Sequence, residues 1–329
     1  MHPRLGLSLL TAAVAVVSLV AGCTAAGPTA TAKPPATRSA QPAPTPTGPP
    51  VAFTWTAVNR QVAGGFPLQI AHADAGKIVM LWMNAAELNF RFIPGSKYPE
   101  FSPVRSVDLH PSSWVPTMLA AFNGGFKMSD HAGGYAYNGK VITALKNGYA
   151  SLINGRDGSV QVKVWQQGMP VTPTLAIRQN LKPLIANGVL HASAADAPNR
   201  WGKSLRNAQH ADRTALGELP NGNLIFITGN HVTAYDLGLE LQHAGAVTAM
   251  ILDMNHTWPT GYVYDAPVGR HDPVGHKILA ETYYPPSLYY TRYKKDFIVV
   301  SARASGTTAL AAPNAPAPSA VTSSGSNAG

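Results

Sequence analysis

Residues 244–258 read AGAVTAMILDMNHTW, and the fold turns on how this stretch divides. Gly245 is a helix stop. Val247 to Leu252 has the length and branched content of a buried strand, and it ends abruptly in Asp253, Asn255, His256 and Trp258. A buried strand that delivers an acid at its end holds the side chain on rigid scaffold while the loop beyond stays open to ligand. Asp253 is therefore expected as an exposed carboxylate at a site; the alternative is an acid that caps a turn. Just upstream, Thr233 to Ala244 is the clearest helix, with Thr233 and Asp236 in capping-box register and Leu237, Leu241 and Ala244 on one face. Helix, glycine, buried strand is the signature of an α/β packing unit.

Working outward, most of the chain reads as strands. Val51 to Val58, Pro67 to Ala73, Lys77 to Met83 and Leu88 to Ile93 are short, aromatic and β-branched, separated by turn signals at Gly64-Gly65, Asp74-Ala75-Gly76 and Pro94-Gly95. Val115 to Phe122 follows. Tyr135 to Thr143 brackets Asn138-Gly139, and Ala150 to Trp165 brackets Asn154 to Gly158, both with hairpin turn chemistry. Thr174 to Arg178, Leu184 to Ala186, Asn223 to Thr228 and Asp296 to Ala302 complete the set, while Gly261 to His276 reads as loop. The expected fold is mixed α/β (α+β): a single β-rich domain with mixed sheets and a few packing helices.

Three places carry candidate chemistry. Asn123-Gly124-Gly125-Phe126 lets the backbone turn sharply and approach a ligand closely. It runs into Lys127, Asp130 and His131 before a second glycine pair, which is more ionisable chemistry than a plain hairpin needs. Arg213 enters a strand beside Asp212: either a structural ion pair or a guanidinium aimed at a phosphate or carboxylate. Asp253 is the third. A metal site could be drawn from His256 with Asp265, His271, Asp272 and His276, but the spacing matches no helical His pair, so no metal and no cofactor is expected.

The ends have a different character. Arg4, the apolar Leu5 to Val20, and Val20-Ala21-Gly22-Cys23 form an export signal with a lipobox-type cleavage site over residues 1–22. Cys23 is the single cysteine, so disulfides, thiolate metal sites and a cysteine nucleophile are excluded. Its expected fate is lipidation; an ordinary secretory signal cut nearby is the competing reading. Residues 23–50 are a disordered Pro/Ala/Thr tether and 304–329 a disordered tail, leaving 51–303 as the domain. Lysine plus arginine number 25 against 16 acids, a net charge of +9. That surplus favours anionic head groups or phosphorylated glycans. The basic residues are scattered and the address is extracytoplasmic, so nucleic acid is not an expected partner.

The order Ala121-Phe122-Asn123-Gly124-Gly125-Phe126, then Arg213-Thr214-Ala215-Leu216-Gly217, then helix-Gly245-Ala246-strand-Leu252-Asp253 resembles the phosphodiester glycosidase family. The resemblance spans roughly Val51 to Arg303. It implies a mixed α/β domain, hydrolysis of a sugar from a sugar-1-phosphodiester, and a site lined by Asn123, Gly124, Gly125, Arg213 and Asp253. The family usually follows Leu-Asp with a run of glycines and a serine, where this chain has Met254, Asn255, His256, Thr257 and Trp258. A side-chain-lined pocket therefore replaces a backbone cradle.

The expectation is a lipid-anchored glycoside or sugar-phosphodiester hydrolase on the extracytoplasmic face of the cell membrane, acting on envelope glycan. Asp253 is its acid/base or nucleophile, and His256 or Asp130 a second proton-transfer group. Arg213 binds the anionic part of the substrate, with Asn123, Gly124, Gly125, Lys127, Asn255 and Trp258 around it. The alternative is a non-catalytic glycan-binding or wall-organising lipoprotein on the same fold.

Overall fold

The computed structural model describes residues 48–58, 61–62, 65–105, 117–191, 194, 198–202, 208–265 and 272–303. The export signal, Cys23, nearly all of the tether, His271 and the tail lie outside the described residues. No helix among the described residues is long and apolar enough to cross a membrane.

Among the described residues, eighteen strands form three sheets. The largest runs in the order β1 (Thr56–Ala57), β2 (Leu68–Ala73), β3 (Ile78–Met83), β14 (Leu224–Val232), β13 (Ala211–Glu218), β15 (Thr248–Met254), β11 (Ile185–Ala186) and β12 (Val189–Leu190). The second is β7 (Lys140–Thr143), β6 (Tyr135–Tyr137), β10 (Thr174–Gln179), β8 (Ala150–Gly155) and β9 (Val160–Val164). The third is β17 (Gly275–Lys277), β16 (Gly261–Tyr264), β5 (Met118–Asn123), β18 (Phe297–Ala302) and β4 (Leu88–Ile93).

The expected β-rich domain is present, but its sheets are not mixed: every strand pairing among the described residues is antiparallel. Nor are there a few packing helices; one α-helix is described along its whole length, α1 (Ala234–His243). The α/β unit read from the sequence explains the difference. β14 and β15 do run in the same direction with α1 between them, because both pair antiparallel with β13. With β13 inserted between them, the crossover leaves no parallel ladder. Helix α1 begins with the expected capping box between Thr233 and Asp236, at 2.8 and 3.1 Å, and Gly245 follows at φ +80°.

Period-two alternation explains why the central strands are buried on both faces. Val79, Leu81 and Met83 of β3, Phe226 of β14 and Leu252 of β15 point into the core shared with the other two sheets. Ile78, Met80, Trp82, Ile227 and Ile251 point to the opposite face, against Leu237 and Leu241 of α1. Phe122 and Phe226 stack at 4.7 Å between the third sheet and the first.

Two strand expectations need correction. Val51 to Val58 contributes only Thr56–Ala57 to the sheet, because the chain first turns where Trp55 Nε1 donates to the Pro50 carbonyl at 2.7 Å. Gly261 to His276 is not all loop: Gly261–Tyr264 and Gly275–Lys277 pair as a hairpin. Tyr262 and Tyr264 are buried with Tyr289 and Tyr290 on the outer face of the third sheet, an aromatic layer with no counterpart in local sequence spacing.

Candidate active site

Ends of all three sheets meet at one place. β15 ends in Asp253-Met254, β5 ends in Asn123, and β18 begins just after Lys295-Asp296. β10 brings Arg178, with Asn180 immediately after it. Side chains bind these ends together. Asn123 Nδ2 donates to Thr214 Oγ1 at 2.9 Å, and the same oxygen accepts from the Asp253 amide at 3.2 Å. Asn123 Oδ1 accepts from the Thr260 amide at 3.0 Å. Asn180 accepts from the Phe126 amide at 3.1 Å and donates to the Leu252 carbonyl at 2.8 Å.

Asp253 forms the floor of a cleft of about 240 Å³, with Lys295, Met254 and Phe126 deep in it and Trp258, Asn255, Asp130 and His131 among its walls. Contrary to expectation, the Asp253 side chain is not exposed: it is 2 % accessible. Lys295 donates to Asp253 Oδ2, and the Met254 amide donates to Oδ1 at 2.9 Å. Burial pushes the Asp253 carboxyl up to about 6; the charge of Lys295, its hydrogen bond and that of Met254 pull against this, and Asp296 adds to the rise. Desolvation outweighs the cation because both partners are out of water.

Directly beneath, Arg178 Nε donates to Asp296 Oδ2 at 2.9 Å, and both residues are buried. The other guanidinium nitrogens hold the carbonyls of Phe126 and Gln179. A Cβ on Gly124 would stand 2.5 Å from Asp296 Oδ2, and one on Gly125 would stand 3.3 Å from the Arg178 guanidinium. The close approach that the glycine pair allows is therefore to this ion pair.

The sequence-derived candidates separate into groups. Asp253, Asp130, Asn255 and Trp258 line the cleft. Lys127 stands with its ammonium 5.7 Å from the centre of the Trp258 ring. Asn123 lies under the floor, and Gly124 and Gly125 lie against Asp296. Arg213 is away from the cleft lining and 1 % accessible, its three nitrogens donating at 3.1 Å to the carbonyls of Val232, Trp201 and Gln209. Neither the ion pair with Asp212 nor an open guanidinium is found there. Asp212 instead binds His256 Nδ1 at 2.8 Å, and His256 packs edge-on to Tyr283, outside the cleft lining. Among the described residues no group of three His, Cys, Asp or Glu side chains is placed to hold a metal ion; His276 pairs with Asp265 at 2.7 Å.

Lys295, Asp296, Arg178 and Asn180 went unsingled in the sequence. Their signal was present: two lysines and an acid immediately before the last buried strand, Lys294-Lys295-Asp296, and a charged residue inside an otherwise apolar strand, Thr174–Gln179. A separate apolar groove of about 340 Å³ lies where Pro50 and Val51 meet Leu219 and Ala244, at the far end of β13.

Residues 117–253 match the sequence model of the phosphodiester glycosidase family. The matched segment contains Asn123, Arg213 and Asp253 and is shorter than the span expected from the motifs. No curated protein matches. Among solved structures, the catalytic domain of zebrafish N-acetylglucosamine-1-phosphodiester alpha-N-acetylglucosaminidase, auto-inhibited by its pro-peptide, aligns with a TM-score of 0.43 and 12% identity, covering 77% of this chain and 89% of that one. A hypothetical protein from Synechocystis aligns with a TM-score of 0.40 and 14% identity over 76% of this chain and 62% of that one. An exported protein of Burkholderia pseudomallei aligns with a TM-score of 0.36 and 10% identity over 73% and 75%.

Proposed function

We propose that the phosphodiester glycosidase-like domain hydrolyses a sugar-phosphate or glycosidic bond in cell-envelope glycan, held at the extracytoplasmic face of the membrane by lipid on Cys23. The observation that carries the catalytic part is Asp253: a carboxylate at the floor of a cleft, raised to about 6 and hydrogen-bonded by Lys295. The phosphate monoester released from a sugar-1-phosphodiester departs as an anion and needs no proton from the protein. The useful work of Asp253 is then at the sugar, as nucleophile or as base to the attacking water. The C1–oxygen bond breaks as a new bond to C1 forms, from water on the base route or from the Asp253 carboxylate on the nucleophile route; the phosphate monoester leaves with the electron pair, and on the base route the proton of water passes to Asp253. Lys295 favours the ionised carboxylate and fixes its direction. The Asn123–Thr214 chain holds the strand end that carries it, and on the nucleophile route Asp130 at the cleft wall takes the proton of the water that frees the sugar from Asp253.

The test is Asp253→Asn against a panel of sugar-1-phosphodiesters and envelope glycans. Loss of a positioned acid/base group removes ~10²–10⁴ of the rate. Because Asn also leaves Lys295 buried without its counter-charge, a melting temperature below that of the wild type is expected, and circular dichroism establishes that the variant assayed is folded. A folded variant with full activity removes Asp253 from the mechanism. A wild type that binds the panel and cleaves none of it favours the non-catalytic glycan-binding lipoprotein.

A further inference from the structure

The loop after Asp253 carries an indole in place of the glycine run usual in the family it resembles, and that indole is surrounded by cations. The ammonium of Lys294 lies 4.4 Å from the centre of the Trp258 ring, that of Lys295 4.7 Å and that of Lys127 5.7 Å. Lys295 is committed to Asp253. The other two ammoniums have no carboxylate partner among the described residues; Lys127 additionally lies 5.6 Å from the Tyr98 ring. Both residues are half-buried. Trp258 lines the cleft together with Asp253, Asp130 and Lys295, while Lys127 and Lys294 reach the ring from outside that lining; beside Lys127, the Glu100 carboxylate is taken up by the Met128 and Ser129 amides. Three ammoniums gathered around one ring repel one another. The ring's negative faces offset only part of that.

We infer that Lys127 and Lys294, held over Trp258, form an oxyanion site that takes the phosphate of the ligand. This inference rests on the hydrolase reading for the placing of the phosphate beside Asp253, although phosphate binding itself does not require catalysis. In this chain Trp258 then serves as an electrostatic anchor for two lysines rather than as a bare platform for a sugar ring. The phosphate is carried either by a small sugar phosphate or by a wall polymer, and the two sources share this chemistry.

Isothermal titration of the full chain with inorganic phosphate, α-glucose 1-phosphate and poly(glycerol phosphate) tests it. The wild type is expected to bind at least one of the three, with affinity falling as salt is raised. Lys127→Gln or Lys294→Gln removes one charge-assisted hydrogen bond to the phosphate and weakens binding about 10-fold or more, and the double variant weakens it further. Lys127→Arg with Lys294→Arg restores binding and so separates charge from fold. Tighter binding of the polymer assigns the site to a wall polymer, and tighter binding of the glucose ester assigns it to a small sugar phosphate. No binding of any of the three, or a folded double Gln variant that binds as the wild type does, overturns the inference. Phosphate binding that depends on the lysines in a protein that hydrolyses nothing keeps the site and discards the hydrolase.

Discussion

Two buried arginines sit near strand ends in different sheets, Arg178 in β10 and Arg213 in β13, and solve opposite problems. Arg178 faces a buried carboxylate, Asp296, and clamps Phe126 and Gln179 through their carbonyls. Arg213 has no bonded carboxylate: it donates to three carbonyls and to the Met254 sulfur at 3.6 Å, and burial lowers its pKa to about 10, with Asp236 acting the other way. Arg178 belongs to a charge-balanced junction that supports the NGGF turn and the Lys295-Asp296 step beneath the cleft. Arg213 is a lone cation that ties three backbone segments together. The lesson is that a buried guanidinium does not by itself mark a ligand site; what it faces decides.

That contrast can be broken by truncating each in turn. Arg178→Met leaves Asp296 buried and charged with no counter-ion, so a loss of about 3–5 kcal/mol in unfolding free energy is expected from denaturant titration. Adding Asp296→Leu removes the stranded charge and recovers part of it. Arg213→Met abandons carbonyl acceptors but no opposite charge, and about 1–3 kcal/mol is expected. Equal losses at the two positions would erase the distinction. Smaller still is Thr233→Ala, which removes the cap of α1, a helix with no residue in the cleft lining, and costs about 1 kcal/mol. Its effect on any activity should be within error, which checks that stability alone does not drive the site readouts.

What the sequence revealed follows the same physical line. Strands and hairpins were legible because alternation and Asn-Gly turns are local, as at Asn138-Gly139 in the β6–β7 hairpin. The capping box at Thr233 and the stop at Gly245 were legible for the same reason. The inserted β13 was not, since pairing order is a tertiary fact and β14–α1–β15 reads as an α/β unit in one dimension. In the site, Asp253, Trp258 and Asn255 were found because a buried strand visibly ends there. Lys295 escaped because it belongs to a different strand end, 42 residues away along the chain from Asp253. Arg178 escaped because a charged residue in a weak strand carries no motif.

The central claim is that Asp253 reacts as a carboxylate, and its pH dependence tests this most directly. Burial raises its pKa to about 6. A nucleophile or base must be ionised, so the reactive fraction is roughly a tenth at one unit below that value and nearly complete one unit above it. The kcat/KM of the wild type on a cleavable sugar-1-phosphodiester should therefore rise with pH through about 6 and level off. In Lys295→Met the loss of the cation that favours the carboxylate should move the rise to higher pH. A rate that falls through this range, or stays flat from pH 5 to 8, or rises identically when Lys295 is removed, would contradict the account.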